Sequence, residues 1–172
     1  MLCFAPALAL AAGCAAAAPA VTAPAGTRPA PATSFAEVRQ IDLDGDGALE
    51  SLTLDHGPGG IAIVDGNGGY RSRPKWWVVA AEIGDTDHNG TPEVVALLDG
   101  PDGRHLALIG WHAGLYHERL VSSVLQPKPR GLRVRREADL GGDVIDLDLG
   151  DRSGIVTYRW NGFGFTAVGG AR

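Results

Sequence analysis

The hydrophobic pattern of the chain consists of short apolar runs that are separated by turns. Runs such as 61–64 and 105–109 are rich in aliphatic residues and are bounded by Gly, Pro, Asn and Asp, as is typical of β-strands. The run 76–83 is nearly continuous, which predicts a strand covered on both faces. After Phe35, no stretch sustains a helical period. With 25 glycines and 11 prolines in 172 residues to supply turns, the pattern predicts an all-β domain.

A repeat of 43 residues underlies this pattern. Two acidic segments start at Asp42 and Asp85, 43 residues apart, and the predicted strands that follow them, 49–55 and 92–99, also agree. A period of this size predicts propeller blades or solenoid units. A third unit follows without a clear acidic segment, and a two-residue turn at Asn161-Gly162 joins its last two strands. The predicted strands of this third unit are 132–138, 143–149, 155–160 and 163–168.

Each acidic segment places oxygen-bearing side chains at loop positions one, three, five and nine, with glycine at position six. These side chains are Asp42, Asp44, Asp46 and Glu50 in the first segment and Asp85, Asp87, Asn89 and Glu93 in the second. Like charges a few Å apart repel by about 1 kcal/mol per pair even in water, so a cation would hold such a turn together. Ca²⁺ accepts roughly 6–8 oxygen ligands in a flexible geometry, which suits these loops better than the stricter octahedron of Mg²⁺.

Details of the two loops refine this prediction. Gly47 and Gly90 stand where the chain must reverse around the ion, and there we expect backbone dihedrals that other residues rarely adopt. Because Asn89 replaces an aspartate, the second loop is expected to bind more weakly. The same residue types also form ordinary hairpin turns without metal, but the repeated ligand spacing favours Ca²⁺. An EF-hand does not fit, because Thr53 and Ala96 occupy the position of its bidentate glutamate and strand-like sequence flanks both loops.

An acidic loop followed by an apolar strand, as in 85–98, resembles the FG-GAP and VCBS repeats, whose loops have the pattern D-x-[DN]-x-[DN]-G-x-x-[DE]. The resemblance covers about Phe35 to Val168. It implies that the loops bind Ca²⁺ through the eight side chains above, with main-chain carbonyls of Ala48 and Thr91 as further ligands. It also implies four-stranded antiparallel blades of a β-propeller, as in integrin α subunits. Since three units are fewer than a closed propeller normally needs, we expect a partial or oligomer-completed propeller of about three blade-like units.

The first 34 residues differ in character from the rest. Residues 1–14 are apolar, end in small residues before Cys14, and resemble a bacterial lipoprotein signal, although no Lys or Arg precedes Cys14. The resemblance implies cleavage before Cys14 and attachment of a lipid to it. A soluble exported protein, an uncleaved anchor and a cytosolic tail are the alternatives. Residues 15–34 are rich in Ala and Pro and predict an extended linker, followed by the β-domain at 35–172. Both cysteines precede that domain, so no disulfide braces it.

Charge and residue distribution restrict the function. The formal net charge is −5, and seven acidic side chains lie in the two loops, so metal binding explains the acidity and a nucleic-acid partner is not expected. In the basic cluster of 128–136, Arg133 and Arg135 alternate with Leu132 and Val134, which favours a solvated sheet face over an anion or lipid-headgroup site. The histidines are scattered and no G-x-S-x-G motif is present, so no enzyme is predicted. Tryptophans are expected in packing rather than in a sugar-binding platform.

Together these patterns predict an exported Ca²⁺-binding β-repeat protein that is lipid-anchored at the cell envelope. We expect it to serve adhesion, assembly or ligand display by binding an unidentified protein or glycan. The alternative is a carbohydrate- or peptide-binding accessory module of a secreted enzyme system. Exposed strand edges in an open arc invite pairing, so a homo-oligomer or a partner that completes the ring is also predicted.

Overall fold

The computed structural model describes residues 37–66, 68–138, 142–150 and 154–169. The chain divides into two compact units, Met1–Ala32 and Thr33–Arg172, and every described residue belongs to the second. The predicted signal segment, its Cys14 and the predicted linker at 15–34 lie outside the described residues.

The described residues form thirteen β-strands and no α-helix. The strands are β1 (Glu37–Ile41), β2 (Glu50–Leu54), β3 (Gly57–Pro58), β4 (Ile61–Asp65), β5 (Gly68–Arg71), β6 (Trp77–Gly84), β7 (Glu93–Gly100), β8 (Gly103–His112), β9 (Leu115–Val121), β10 (Gly131–Glu137), β11 (Gly142–Asp148), β12 (Ile155–Trp160) and β13 (Phe165–Gly169). In the third unit, observed and predicted strands agree closely. The prediction of an all-β fold is confirmed.

The strands build three antiparallel sheets. Sheet 1 has the order β1-β2-β4-β5, sheet 2 has β3-β6-β7-β8-β9, and sheet 3 has β10-β11-β12-β13. Sheets 1 and 3 have the predicted four strands, but sheet 2 has five. The extra strand β3 precedes β4 in the chain and pairs with β6 instead, with Gly57 opposite Val78. None of the described sheets closes on itself.

Sheets 1 and 2 place their acidic segment at the same point, between the first two strands of the repeat. Segment 42–49 joins β1 to β2, and segment 85–92 joins β6 to β7. The pairs that close these connections are Ile41 opposite Glu50 and Gly84 opposite Glu93. The 43-residue period is therefore the spacing from sheet 1 to sheet 2. The corresponding connection in sheet 3 includes residues outside the described part of the chain.

Sheet 2 is the middle layer, because its two faces belong to two separate hydrophobic clusters. Along β7, Val94, Ala96 and Leu98 pack into the first cluster, which holds the buried residues of sheet 1. The alternate residues Val95 and Leu97 pack into the second cluster, together with Ile145 and Leu147 of sheet 3. Alternation by one residue sends successive side chains to opposite faces of a strand. The central strand is thus covered on both sides, which explains its continuous apolar sequence.

One prediction about burial was wrong in part. The run 76–83 was expected to be covered on both faces, yet Trp77 is 55% exposed while Trp76 is buried. Trp77 is the first residue of β6 and its strand partner there is Pro58 of the two-residue strand β3. A strand this short brings few side chains to cover its neighbour. Trp76 packs inward, with its ring centroid 5.3 Å from that of His105.

The basic stretch 128–136 behaves as its alternating pattern predicts. Leu132 and Val134 pack against the second hydrophobic cluster, whereas Arg133 is exposed. Arg135 is half-buried, and its Nε donates a hydrogen bond of 2.7 Å to Asp146 on the adjacent strand. Arg133 and Arg135 therefore lie on the face of sheet 3 opposite to Leu132 and Val134, away from the second cluster.

Candidate metal sites

Acidic loop 1 (residues 42–50) gathers four carboxylates at one end of sheet 1. Ligand-type oxygens of Asp42, Asp44, Asp46 and Glu50 all lie within 4.8 Å of one another. The sequence predicted this set of four, and the fold brings all of them together. Such a group of hard oxygen donors is the chemistry that Ca²⁺ prefers.

Backbone amides of loop 1 hold these carboxylates in place. The amides of Gly45 and Gly47 donate to the two oxygens of Asp42 at 2.6 and 3.0 Å. Asp44 and Asp46 each accept one bond, at 3.0 and 2.7 Å, from the amide two residues later. Because loop amides determine the positions of the side chains, the cluster is organised by its own backbone.

Glu50 lies beneath the loop, where β2 begins. Glu50 is 1% exposed, and its carboxylate accepts a hydrogen bond of 2.5 Å from the backbone amide of Leu43. Leu43 is itself buried in the first hydrophobic cluster. Burial raises the pKa of Glu50, an effect that the Leu43 amide opposes. Glu50 and Leu43 thereby attach the loop to the core between sheets 1 and 2.

Tyr116 on β9 brings a polar group of sheet 2 to loop 1. The residue is 5% exposed, and its buried hydroxyl lies beside the Glu50 carboxyl without a hydrogen bond of good geometry. Burial and the negative charge of Glu50 raise the pKa of Tyr116. Sequence analysis did not assign Tyr116 to the site. The only signal was its position in the repeat, which matches that of Tyr70.

Acidic loop 2 (residues 85–93) repeats this arrangement in sheet 2. Ligand-type oxygens of Asp85, Asp87 and Glu93 lie within 4.8 Å of one another. The amides of Asn89 and Gly90 donate to the two oxygens of Asp85 at 2.9 and 3.1 Å, as the glycine amides do in loop 1. The side-chain oxygen of Asn89, a predicted ligand, accepts bonds from the amide and hydroxyl of Thr91 at 2.8 and 2.6 Å.

The two loops share a backbone conformation as well as a sequence pattern. At position six, Gly47 and Gly90 have φ values of +88° and +92°, so the predicted need for left-handed dihedrals is confirmed. At position four, Gly45 has φ +80°, while His88 adopts φ +60° despite carrying a side chain. Both loops therefore turn in the same way, and position six requires the freedom of glycine.

Glu93 is the buried carboxyl of loop 2 and corresponds to Glu50. It is 1% exposed, and its oxygens accept bonds from the amide and hydroxyl of Thr86 and from the amide of Asp87, at 3.1–3.3 Å. Burial, together with the negative charges of Asp87 and Asp85, raises the pKa of Glu93 to about 8. In loop 2 the backbone therefore holds a carboxyl that resists ionisation.

A cation from another strand distinguishes loop 2 from loop 1. The guanidinium of Arg119 on β9 lies 2.6 Å from Asp87, whose side chain is 4% exposed. Arg119 was missed by sequence analysis, because it lies 32 residues after Asp87 and no spacing rule connects them. Only the path of β9 past loop 2 brings the two charges together.

The fold and its loops define an all-β protein of three stacked antiparallel sheets with two acidic clusters that could hold a metal ion. Comparisons with protein-family models, with curated proteins and with solved structures gave no match. Within the described part of the chain, no helix is long and apolar enough to cross a membrane. Attachment of a lipid to Cys14 stays a prediction.

Substitution of the position-six glycine tests the backbone requirement. We expect Gly47→Ala to lower the free energy of unfolding by about 1–2 kcal/mol, because a left-handed φ costs roughly that much for a residue with a Cβ. An added Cβ at Gly47 meets no atom within 4 Å, so the effect reports conformation alone. Gly66→Ala is the control, since it also has open space and no positive φ. Equal urea midpoints for the two variants would contradict the prediction.

Proposed function

We propose that the protein is a Ca²⁺-binding β-repeat protein of the FG-GAP/VCBS kind, with its principal Ca²⁺ site in loop 1. The observation that carries the proposal is the convergence of the four loop-1 carboxylates within 4.8 Å. The proposed ligands are the side chains of Asp42, Asp44, Asp46 and Glu50 and the main-chain carbonyl of Ala48. Four negative charges at this distance favour a divalent cation, and a flexible set of oxygens favours Ca²⁺ over Mg²⁺.

The ion in this proposal stabilises the contact between two sheets. Loop 1 belongs to sheet 1, but Glu50 lies beside Tyr116 of sheet 2, and Leu43 packs in the cluster that both sheets share. A cation that neutralises the carboxylates would allow loop 1 to stay against sheet 2. Its role is therefore structural, and we propose no catalytic activity.

The biological setting is proposed from the N-terminal sequence and from the exposed surfaces. In this proposal the protein is exported to the cell envelope, carries a lipid on Cys14, and serves adhesion, assembly or ligand display. Its partner is a protein or a glycan. The outer face of sheet 1, where Val38 and Val64 are exposed, is the surface on which a second copy or another protein would complete the ring.

A second candidate function is a carbohydrate- or peptide-binding accessory module. It is favoured by a cleft of about 360 Å³ between sheets 2 and 3, which combines the aromatic residues Tyr158 and Phe165 with the hydroxyl-bearing Ser122 and Ser123. Aromatic faces with neighbouring hydroxyls suit sugars and peptides. Loss of binding on a glycan or peptide array in Tyr158→Ala, with unchanged Ca²⁺ binding, would favour this function over adhesion through the outer sheet face.

Thermal unfolding with Ca²⁺ and with chelator tests the proposed site. A ligand that binds only the folded state adds about 2.7 kcal/mol at a concentration of 100 Kd, so Ca²⁺ should raise the Tm of the wild type by several degrees. Asp44→Asn should abolish most of that rise. Asp55→Asn, which removes the same charge outside the loops, should keep it. Equal shifts in the two variants, or no shift in the wild type at millimolar Ca²⁺, would overturn the proposal.

A further inference from the structure

Arg119 reaches loop 2 because of an irregularity in β9. The register between β8 and β9 pairs Ile109 with Glu118 and Leu108 with Leu120, so Arg119 has no partner opposite it. A bulge of this kind bends a strand and redirects the side chain of the extra residue. The stem of the side chain lies against Gly110 of β8: a Cβ added to that glycine would be 3.6 Å from Cδ of Arg119, an ordinary contact, and 3.1 Å from Cβ of Glu93 in loop 2. The guanidinium therefore reaches Asp87 from β9, although β8 lies between β9 and β7 in the sheet.

The pair of Arg119 and Asp87 is largely shielded from water. Nη2 of Arg119 lies 2.6 Å from Oδ2 of Asp87, and the two side chains are 17% and 4% exposed. A shielded pair differs from a surface salt bridge, because removing one partner leaves the other charge buried without compensation. The carboxylate of Asp87 thus already has a permanent counter-charge within the protein.

Oxygens of loop 2 that were predicted to bind metal also have protein donors. Oδ2 of Asp87 accepts a 3.2 Å bond from the side-chain amide of Asn89 in addition to the Arg119 contact, and Oδ1 accepts from the Asn89 backbone at 3.2 Å. The side-chain oxygen of Asn89 accepts two bonds from Thr91. The carboxylates of loop 1 also accept bonds from backbone amides, so the guanidinium is the feature that distinguishes loop 2, and an ion in loop 2 would lie close to its positive charge.

Loop 1 offers a contrast within the same molecule. Among the described residues, no Lys or Arg forms an ion pair with Asp42, Asp44, Asp46 or Glu50. Within the described part of the chain, loop 1 has four carboxyl groups and no cation paired with them, whereas loop 2 has three carboxyl groups and one guanidinium. The charge that loop 1 must take from solution is supplied to loop 2 by the protein.

From this contrast we infer that Arg119 serves as the built-in cation of loop 2, so that the protein binds one Ca²⁺ ion, in loop 1, and not two. The inference rests on the proposed function only for loop 1. It assigns the chain a stoichiometry that the repeat pattern alone does not predict. According to the same inference, loop 2 folds without a bound metal ion, because Arg119 supplies the positive charge.

Counting bound Ca²⁺ tests the inference, by isothermal titration calorimetry and by equilibrium dialysis of the full chain. The wild type should bind one equivalent. Arg119→Met, which keeps the unbranched stem of the side chain and removes the guanidinium with its charge, should bind two. Asp44→Asn should bind none, and Asp44→Asn combined with Arg119→Met should bind one. Arg159→Met is the matched control, because it removes an exposed arginine of β12 and should leave the stoichiometry at one.

Several outcomes separate this inference from the proposed function. Two equivalents in the wild type, or one in a cooperatively folded Arg119→Met protein, would overturn the role of Arg119 while leaving the loop-1 site in place. No binding in the wild type together with one equivalent in Arg119→Met would overturn the loop-1 site and support the role of Arg119. If Arg119→Met does not fold, Asp44→Asn decides alone, because Ca²⁺ bound to that folded variant would place an ion in loop 2 despite Arg119.

Discussion

Leu97→Ala is expected to lower the free energy of unfolding by about 2–5 kcal/mol, the range found when a large aliphatic side chain is removed from a packed core. Leu97 lies at the middle of β7, is fully buried, and pairs with Ala80 on one side and Leu106 on the other. Its side chain belongs to the cluster between sheets 2 and 3. The substitution therefore leaves a cavity at the contact between two layers, where neighbouring strands restrict collapse.

Urea unfolding followed by tryptophan fluorescence measures this effect, at one Ca²⁺ concentration for all variants. Val64→Ala is the control, because Val64 is 62% exposed and its truncation should change stability by less than about 0.5 kcal/mol. Similar losses in both variants would mean that sheet 2 is not a shared middle layer. A loss in Leu97→Ala with an altered slope against urea would indicate a change in the extent of unfolding.

Raising the pH from about 4.5 to about 8 in chelator is expected to destabilise the protein through Glu93. Its pKa is about 8 in the folded state and 4.5 without the fold, so between these values the unfolded chain releases a proton that the folded chain retains. The unfolded state then binds fewer protons, and the free energy of unfolding falls as pH rises. The slope is at most about 1.4 kcal/mol per pH unit.

Glu93→Gln identifies the source of this slope, since the variant cannot titrate at that position. We expect its urea midpoint to vary less with pH than that of the wild type between pH 5 and 8, whatever its absolute stability. Glu37→Gln is the control. Arg39 lowers the pKa of Glu37, so any stability that Glu37 contributes is lost in acid, below this window. Identical pH slopes in Glu93→Gln and the wild type would show that Glu93 ionises normally.

Local sequence predicted most of the fold, because the strands follow runs whose residues must be buried. The strand 155–160 was predicted with its observed bounds, and 132–138 and 143–149 differ from β10 and β11 by one residue at each end. Strand β3 could not be predicted in the same way. Gly57 and Pro58 have no apolar pattern, and they form a strand only because β6 presents backbone groups beside them.

For the candidate sites, the sequence predicted the residues within each acidic loop but not the residues that approach the loops from other strands. Each loop carries its own ligand-type side chains and its own left-handed glycine, so the interactions that shape it span nine residues and are visible in the sequence. Tyr116 and Arg119 approach the loops from β9, and the spacing of the acidic residues does not indicate either of them. Their positions depend on how sheets 1 and 2 stack and on the bulge in β9.

The amino-acid sequence alone thus determined most of the β-strands, the 43-residue repeat and the two acidic turns, because each depends on residues that are near one another in the chain. Tertiary structure decided which strands share a sheet, which faces are covered, and which cluster meets a guanidinium. These properties depend on contacts between residues far apart in sequence. Two loops with nearly the same pattern therefore have different electrostatic surroundings, and only the packing of β9 beside loop 2 accounts for the difference.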